Sequence, residues 1–173
     1  ESKLIVERML LWMASQHGLT CTALRYFNAA GATARNGEAH DPESHLIPNV
    51  LRAAAEGRTL KLYGTDYPTV DGTTVRDYIH VVDLAQAHLL ALTRTEPGLR
   101  LYNVGNGNGY SVRQVVETAR EVTGQPLAVE ELPRRAGDAT ASVASARRIR
   151  EELGWRPQHA ELHTILASAW QWY

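Results

Sequence analysis

Short segments with strand character alternate with longer helical segments along this chain. Apolar periodicity, glycines and capping residues predict helices at 4–17, 46–56, 82–94, 111–123, 144–153 and 159–172, and strands at 20–27, 60–63, 100–104 and 127–130. Ser111, with Gln114 three residues later, matches a capping box, which gives one helix start a physical cause. Strands separated by helices are typical of α/β proteins. The sequence therefore predicts an α/β fold.

The composition favours a globular domain and excludes several kinds of partner. The 173 residues are 44% apolar and 21% charged, and their net charge is −1. This balance offers no broad electric field for nucleic acid or for an anionic membrane surface. No apolar run approaches the length of a membrane span. Cys21 is the single cysteine, so no internal disulfide can form, and this agrees with a cytoplasmic location.

The segment 60–84 has the features of a ligand site. A short apolar strand at 60–63 leads into a turn-rich loop. We expect this loop to deliver Arg76 and Asp77 just before a helix that starts near Val82. Loops held by regular elements often carry function.

A second basic segment, PRRAGD at 133–138, contains Arg134 and Arg135. Two guanidinium groups from different loops can clamp a diphosphate through bidentate hydrogen bonds, and Asp138 can accept one from a ribose. Taken alone, each arginine is more typical of a solvated surface charge. The adjacent Arg76 and Asp77 are also typical of an ordinary ion pair.

Two other motifs lack a defining residue. Gly105, Gly107 and Gly109 follow a strand and precede a helix, but a dinucleotide fingerprint needs its third glycine where Tyr110 stands. His159 and His163 are four apart on a predicted helix, yet the glutamate of an H-E-x-x-H zinc motif is replaced by alanine. We therefore expect a structural glycine turn and no metal site.

Several longer strings resemble one family. They are LRYFNAAGA at 24–32, HLIP at 45–48, LYGTDYPTVDGTTVRDYIHVVDLA at 62–85, YNVGNGNGYSV at 102–112 and PRRAGD at 133–138. Their order and spacing resemble those of UDP-glucose 4-epimerases, which are NAD-dependent members of the extended short-chain dehydrogenase/reductase superfamily. The resemblance continues through EELGW to the final AWQWY, and it favours the 4-epimerases over the related nucleotide-sugar dehydratases and decarboxylases.

The resemblance implies the C-terminal part of a Rossmann-type fold together with the smaller substrate-binding region. Residues 1–27 would end the NAD-binding domain. Residues 28–173 would mainly form the UDP-sugar-binding region, with segments that return to the Rossmann sheet. Family members are commonly homodimers, and we expect the full-length protein to be a homodimer as well.

The start of the chain resembles the second half of the family's Y-x-x-x-K signature, with Lys3 as the lysine. The tyrosine would lie two residues before Glu1. The implied role of Lys3 is to favour the tyrosinate and to bind the nicotinamide ribose. We therefore expect this chain to be the C-terminal half of an epimerase and to be inactive alone.

The resemblance also implies which residues contact the ligands. Tyr26 and Phe27 would border the nicotinamide of NAD. The implied UDP-sugar contacts are Asn28 and His45, the backbone amide of Leu46 at a phosphate, Lys61, Leu62 and Tyr63 around the uracil, Arg76 and Arg135 at the diphosphate, and Asp138 at the ribose. Ser142 stands where some members have a tyrosine, which leaves the choice of sugar open.

The implied reaction interconverts UDP-glucose and UDP-galactose. Oxidation at C4 gives a 4-keto sugar, and hydride then returns to its opposite face. Two alternatives remain open from the sequence: a related epimerase of N-acetylhexosamine or pentose UDP-sugars, and a nucleotide-sugar-binding module without catalysis.

Overall fold

The computed structural model describes residues 1–173 and contains six helices and eight strands. The helices are α1 (Ser2–His17), α2 (Leu46–Glu56), α3 (Val81–Leu92), α4 (Val112–Thr123), α5 (Arg147–Leu153) and α6 (Leu162–Trp172). The strands are β1 (Thr20–Tyr26), β2 (Asn28–Ala30), β3 (Leu60–Tyr63), β4 (Val75–His80), β5 (Gly98–Val104), β6 (Gly109–Ser111), β7 (Val129–Leu132) and β8 (Ala141–Ser142).

Three small sheets organise these strands, and most of the pairings are parallel. β1 runs parallel to β5, and β3 runs parallel to β7. β4 lies at the centre of the third sheet, where it pairs in parallel with β2 and β8 and antiparallel with β6. Parallel strands connected through helices confirm the predicted α/β fold.

Two apolar clusters hold the layers together. The larger one packs α2, α4 and α6 against one another through fully buried side chains such as Val50, Val115 and Ile165. The smaller one surrounds Trp155, whose indole N–H donates to the carbonyl of Asp83 at 3.0 Å. Each buried aliphatic side chain of this size contributes about 1.5–3 kcal/mol.

The capping box at α4 is confirmed. The Ser111 hydroxyl accepts from the Gln114 amide at 3.1 Å, and the Gln114 side chain accepts from the Ser111 amide at 2.8 Å. At the other end, Gly124 has φ +65°, a left-handed conformation that glycine adopts without steric cost.

The sequence prediction was wrong at several boundaries. Arg76 and Asp77 lie in strand β4 and not in a loop, and the strand predicted at 127–130 lies at Val129–Leu132. The last two helices begin at Arg147 and Leu162, later than expected. The short strands β2, β6 and β8 were missed because their order comes from pairing with β4, which local periodicity does not reveal.

None of the six helices is both long and apolar enough to cross a membrane. α1 instead carries large apolar side chains that stand exposed in this chain, among them Met9, Leu11 and Trp12.

His80 joins β4 to α3 and α6. Its Nδ1 accepts from the Val82 amide at 3.1 Å, so the neutral ring carries its proton on Nε2, 2.9 Å from the Ser168 hydroxyl. The ring also packs on His159, with centroids 4.7 Å apart. Burial and the nearby His159 lower the pKa of His80, although the carboxylate of Asp83 opposes them.

This lowered pKa predicts a loss of stability in acid. Between the folded pKa and the ordinary value near 6.5, the unfolded chain binds more protons on His80 than the folded chain does, so unfolding becomes easier as pH falls. Urea unfolding from pH 8 to pH 5 should show this fall, and His80→Asn should reduce its slope by at most about 1.4 kcal/mol per pH unit. The matched control is the exposed His163→Asn, which should leave the slope unchanged. An unchanged slope in His80→Asn would contradict the assignment.

Candidate functional site

One cavity of about 460 Å³ collects every side chain that the resemblance assigned to the UDP-sugar. It lies between α2, β3 and the central strand β4, and the loop after β7 closes one side. The predicted residues that line it are Asn28, His45, Leu46, Lys61, Leu62, Tyr63, Arg76, Arg135 and Asp138.

Alternation along β4 separates Arg76 from Asp77, because successive side chains of a strand point to opposite faces. Arg76 lines the cavity. One of its terminal nitrogens donates to the carbonyls of Val75 at 2.9 Å and Ala139 at 2.8 Å. Its other terminal nitrogen lies 3.8 Å from Asp138. The guanidinium is therefore held from behind by backbone while its remaining donors are directed towards the cavity.

Asp77 is fully buried and does not pair with Arg76. Its carboxylate accepts the backbone amides of Asn106, Gly107 and Ala144, each at 3.0 Å. Burial raises the pKa of Asp77, and the three amides oppose that rise. The adjacent Arg76 and Asp77 are thus not the ordinary ion pair that the sequence left open.

The same contacts explain the glycine run that followed β5. A Cβ on Gly105 would lie 2.6 Å from the Asp77 carboxylate and 2.6 Å from the Ala144 side chain. Glycine is required here because the backbone approaches Asp77 closely, which agrees with the structural role expected for this turn.

The two arginines of PRRAGD have different environments. Arg135 lies over the ring of Tyr63, with the guanidinium carbon 3.8 Å from the ring centroid, and both residues line the cavity. Arg134 instead lies over Tyr67 and donates to Asp66 at 2.7 Å. Of the two, only Arg135 reaches the cavity. Because it covers one face of Tyr63, a bound base must use the other face or displace it.

The cavity carries a strong excess of positive charge. Its cationic side chains are Arg52, Arg58, Lys61, Arg76 and Arg135, and its single acidic side chain is Asp138. Arg52, in the middle of α2, and Arg58, just beyond its C-terminal end, were not among the predicted site residues. In the sequence, the one signal for Arg52 as a cavity residue is its position one helical turn after the HLIP string.

The N-terminus of α2 adds backbone donors to these charges. His45 precedes the helix in an extended conformation, and Leu46 is its first residue. The first amides of a helix lack partners within the helix, and the helix dipole favours an anion there. Basic side chains, free amides and an aromatic ring together can bind a nucleoside diphosphate, with the phosphates at α2 and the base near Tyr63.

Comparisons with known proteins agree with this geometry. Residues 1–105 match the model of the NAD dependent epimerase/dehydratase family. The UDP-glucose 4-epimerase of Corynebacterium glutamicum is 50% identical over 171 residues, which make up 98% of this chain and 52% of that protein.

The chain belongs to the NAD-dependent epimerase/dehydratase family.

Solved structures give the same result. The UDP-glucose 4-epimerase of Brucella ovis in complex with NAD matches with a TM-score of 0.91 and 45% identity, over 98% of this chain and 54% of that one. The enzyme of Bifidobacterium longum in complex with NAD+ and UDP matches with a TM-score of 0.91 and 36% identity, over 99% of this chain and 52% of that one. The chain spans about half the length of the relatives it matches.

The residues that the epimerase family resemblance assigned to NAD lie outside the main cavity. Tyr26 and Phe27 line a second, more open hollow at the carboxyl ends of β1 and β5, and this hollow shares Asn28 and Arg76 with the cavity. Ligands of open α/β sheets bind at such strand ends, so these residues could hold part of a dinucleotide. Lys3 is exposed on the first turn of α1 and lines neither space.

His159 and His163 do not act as a pair. The ring of His159 lies 3.2 Å from the buried carboxylate of Asp83 and packs on His80, whereas His163 is exposed on α6. His159 therefore has structural partners of its own.

The contacts of Asp77 predict that its charge is structural. In Asp77→Asn, the amide nitrogen of the new side chain would face backbone donors, and we expect a loss of about 2–3 kcal/mol in the free energy of unfolding. The matched control is Asp66→Asn, which removes an exposed pair with Arg134 and should cost much less than Asp77→Asn. Chemical unfolding measures both, and equal losses would show that Asp77 is not the anchor of this region.

Proposed function

We propose that this chain forms the UDP-sugar-binding part of a UDP-glucose 4-epimerase, and that the full-length protein interconverts UDP-glucose and UDP-galactose with NAD. The observation that carries this proposal is the single basic cavity that brings together all nine residues implied by the resemblance. Relatives named UDP-glucose 4-epimerase that match nearly the whole chain support it.

Charge and geometry support a diphosphate in the cavity. Arg76 is oriented by two backbone carbonyls and Arg135 by the ring of Tyr63, so both lose less side-chain freedom on binding than free arginines would. A diphosphate between them would also meet the amide of Leu46. Binding would draw Arg76 away from Asp138, which is then available to a ribose hydroxyl.

The base would lie beside β3. Tyr63 offers an aromatic face, and the backbone of Lys61 and Leu62 offers edge donors and acceptors in an extended strand. A pyrimidine stacked on Tyr63 would gain about 1–3 kcal/mol by analogy with other base–aromatic contacts.

The sugar would extend from the diphosphate towards Asn28 and the hollow beside Phe27. NAD, when bound, supplies the acceptor and donor of hydride at C4 of the sugar. Asn28 is held in place because its side-chain amide donates to the Asp77 carbonyl at 2.8 Å, so its amide oxygen is left to contact a sugar hydroxyl. Lys3 would favour the ionised form of the tyrosine that the family signature places four residues earlier.

A binding module without catalysis is the second candidate. It is favoured by one observation: the cavity is assembled within a chain that spans about half the length of its relatives. Binding of UDP-sugar without turnover by the full-length protein would select this candidate. The sugar itself is open to N-acetylhexosamine or pentose forms, because Ser142 offers a hydroxyl where some members have a ring.

We also propose a division at residue 27, with residues 1–27 in the NAD-binding domain and residues 28–173 mainly in the substrate region. The parallel pairing of β5 with β1 supports a return of the chain to the first sheet. The exposed apolar side chains of α1 support a homodimer, and the lone Cys21 is compatible with the cytoplasm.

The proposed diphosphate clamp, formed by Arg76 and Arg135, predicts a specific loss of affinity for UDP-glucose. In the full-length protein, Arg76→Ala and Arg135→Ala should each weaken UDP-glucose binding by about 1.5–3 kcal/mol, the range of a hydrogen bond to a charged group. Epimerisation of UDP-galactose should fall in parallel. The control is Arg147→Ala, whose exposed side chain faces Glu151 and lies away from the cavity.

Calorimetry and a coupled activity assay measure the two effects. UDP-glucose affinity that is unchanged in both cavity variants would contradict the clamp. Wild-type protein that binds UDP-glucose but does not convert UDP-galactose in the presence of NAD would contradict the proposed activity.

A further inference from the structure

The loop before α2 contains the pattern Glu-x-His twice, at Glu38 to His40 and at Glu43 to His45. The two copies have the same local structure. Each carboxylate accepts the backbone amides of the next two residues, at 3.1 and 3.0 Å in the first copy and at 2.7 and 2.6 Å in the second. Each carboxylate also contacts Nδ1 of its own histidine, at 3.0 Å and 2.8 Å.

These contacts fix the state of both imidazole rings. A carboxylate is an acceptor, so Nδ1 carries the proton in each neutral ring and the free lone pair is on Nε2. The Glu43 side chain is only 1% exposed. Its carboxylate is fully engaged by the backbone amides of Ser44 and His45 and by Nδ1 of His45.

The two copies meet in space. The rings of His40 and His45 lie edge to face with centroids 5.5 Å apart. One ligand atom from each of Glu38, His40 and His45 lies within 4.8 Å of the others. In a tetrahedral zinc site with bonds near 2.0 Å, neighbouring ligand atoms are about 3.3 Å apart. All three residues are exposed. A bound ion would replace the hydrogen bond between Glu38 and Nδ1 of His40, and rotation of these side chains can then close this difference.

We propose that Glu38, His40 and His45 form a binding site for Zn²⁺ or a similar divalent transition-metal ion. Two imidazoles and one carboxylate suit such ions better than Mg²⁺ or Ca²⁺, which prefer ligand sets made entirely of oxygen. The fourth position is filled by water. A carboxylate that holds the other nitrogen of a ligating histidine is the usual outer support of a zinc site, and Glu43 supplies it to His45.

The site goes beyond the proposed function and does not depend on it. Glu38 and His40 do not line the basic cavity, whereas His45 lies at its edge. A bound ion would connect the loop to the residue that precedes α2. It would thereby order the chain beside the cavity without supplying a group to the diphosphate clamp.

Calorimetric titration with Zn²⁺, and the visible absorption of Co²⁺ as a spectroscopic substitute, test the proposal. The full-length protein should bind one ion at this site. His40→Ala, His45→Ala and Glu38→Gln should each weaken its binding at least tenfold, and Glu43→Gln should weaken it about tenfold through loss of the outer support. The control is His163→Ala, an exposed histidine on α6 that should leave binding unchanged.

The outcomes separate this site from the UDP-sugar site. His40→Ala should lose the ion while it keeps wild-type UDP affinity and wild-type thermal stability without metal. Absence of Zn²⁺ binding in the wild type, or equal affinity in His40→Ala and His163→Ala, would overturn the metal site whatever the result for UDP. Loss of UDP affinity in Arg76→Ala together with intact Zn²⁺ binding would support both proposals.

Discussion

The carboxylate of Asp77 is the contact on which the candidate site depends. It is buried in the central strand β4, where it accepts three backbone amides from the turn after β5 and from the segment after β8. Those segments lie 29 to 67 residues away along the chain. A buried carboxylate without such donors would be strongly destabilising. Because neighbouring residues of a strand face opposite sides, the burial of Asp77 also directs Arg76 into the cavity.

The two faces of β4 therefore have different roles, one structural and one in the candidate binding site. One face carries the buried side chains of Asp77 and Ile79, and Asp77 is hydrogen-bonded there to distant segments of the chain. The other face presents Arg76 to a space that also holds Arg135, Tyr63 and the start of α2. Rigid support behind an arginine lowers the entropy lost when it binds a phosphate. This division explains how a small chain holds several cations close together in one cavity.

Regular helices were predictable from the sequence, whereas β4 was not. α2 lies at Leu46–Glu56 as predicted, because an apolar face and the glycine after it are local signals. In β4 the buried positions include Asp77 and His80, so the hydrophobic alternation of a strand is absent, and their partners are distant in sequence. Arg76, Arg135 and Asp138 were first indicated by the two basic segments, whereas the other six cavity residues came from the resemblance and not from periodicity. The packing of Arg135 on Tyr63 and the meeting of the two Glu-x-His copies both depend on tertiary structure, which no local pattern encodes.

The most direct test of the basic cavity compares UDP with uridine, because only the diphosphate distinguishes these two ligands. Calorimetry on the full-length protein should show that UDP binds at least about tenfold more tightly than uridine, which corresponds to about 1.4 kcal/mol. That difference should disappear when Arg76→Ala and Arg135→Ala are combined, while the affinity for uridine stays the same. Equal affinities of the unmodified protein for UDP and uridine would contradict the account.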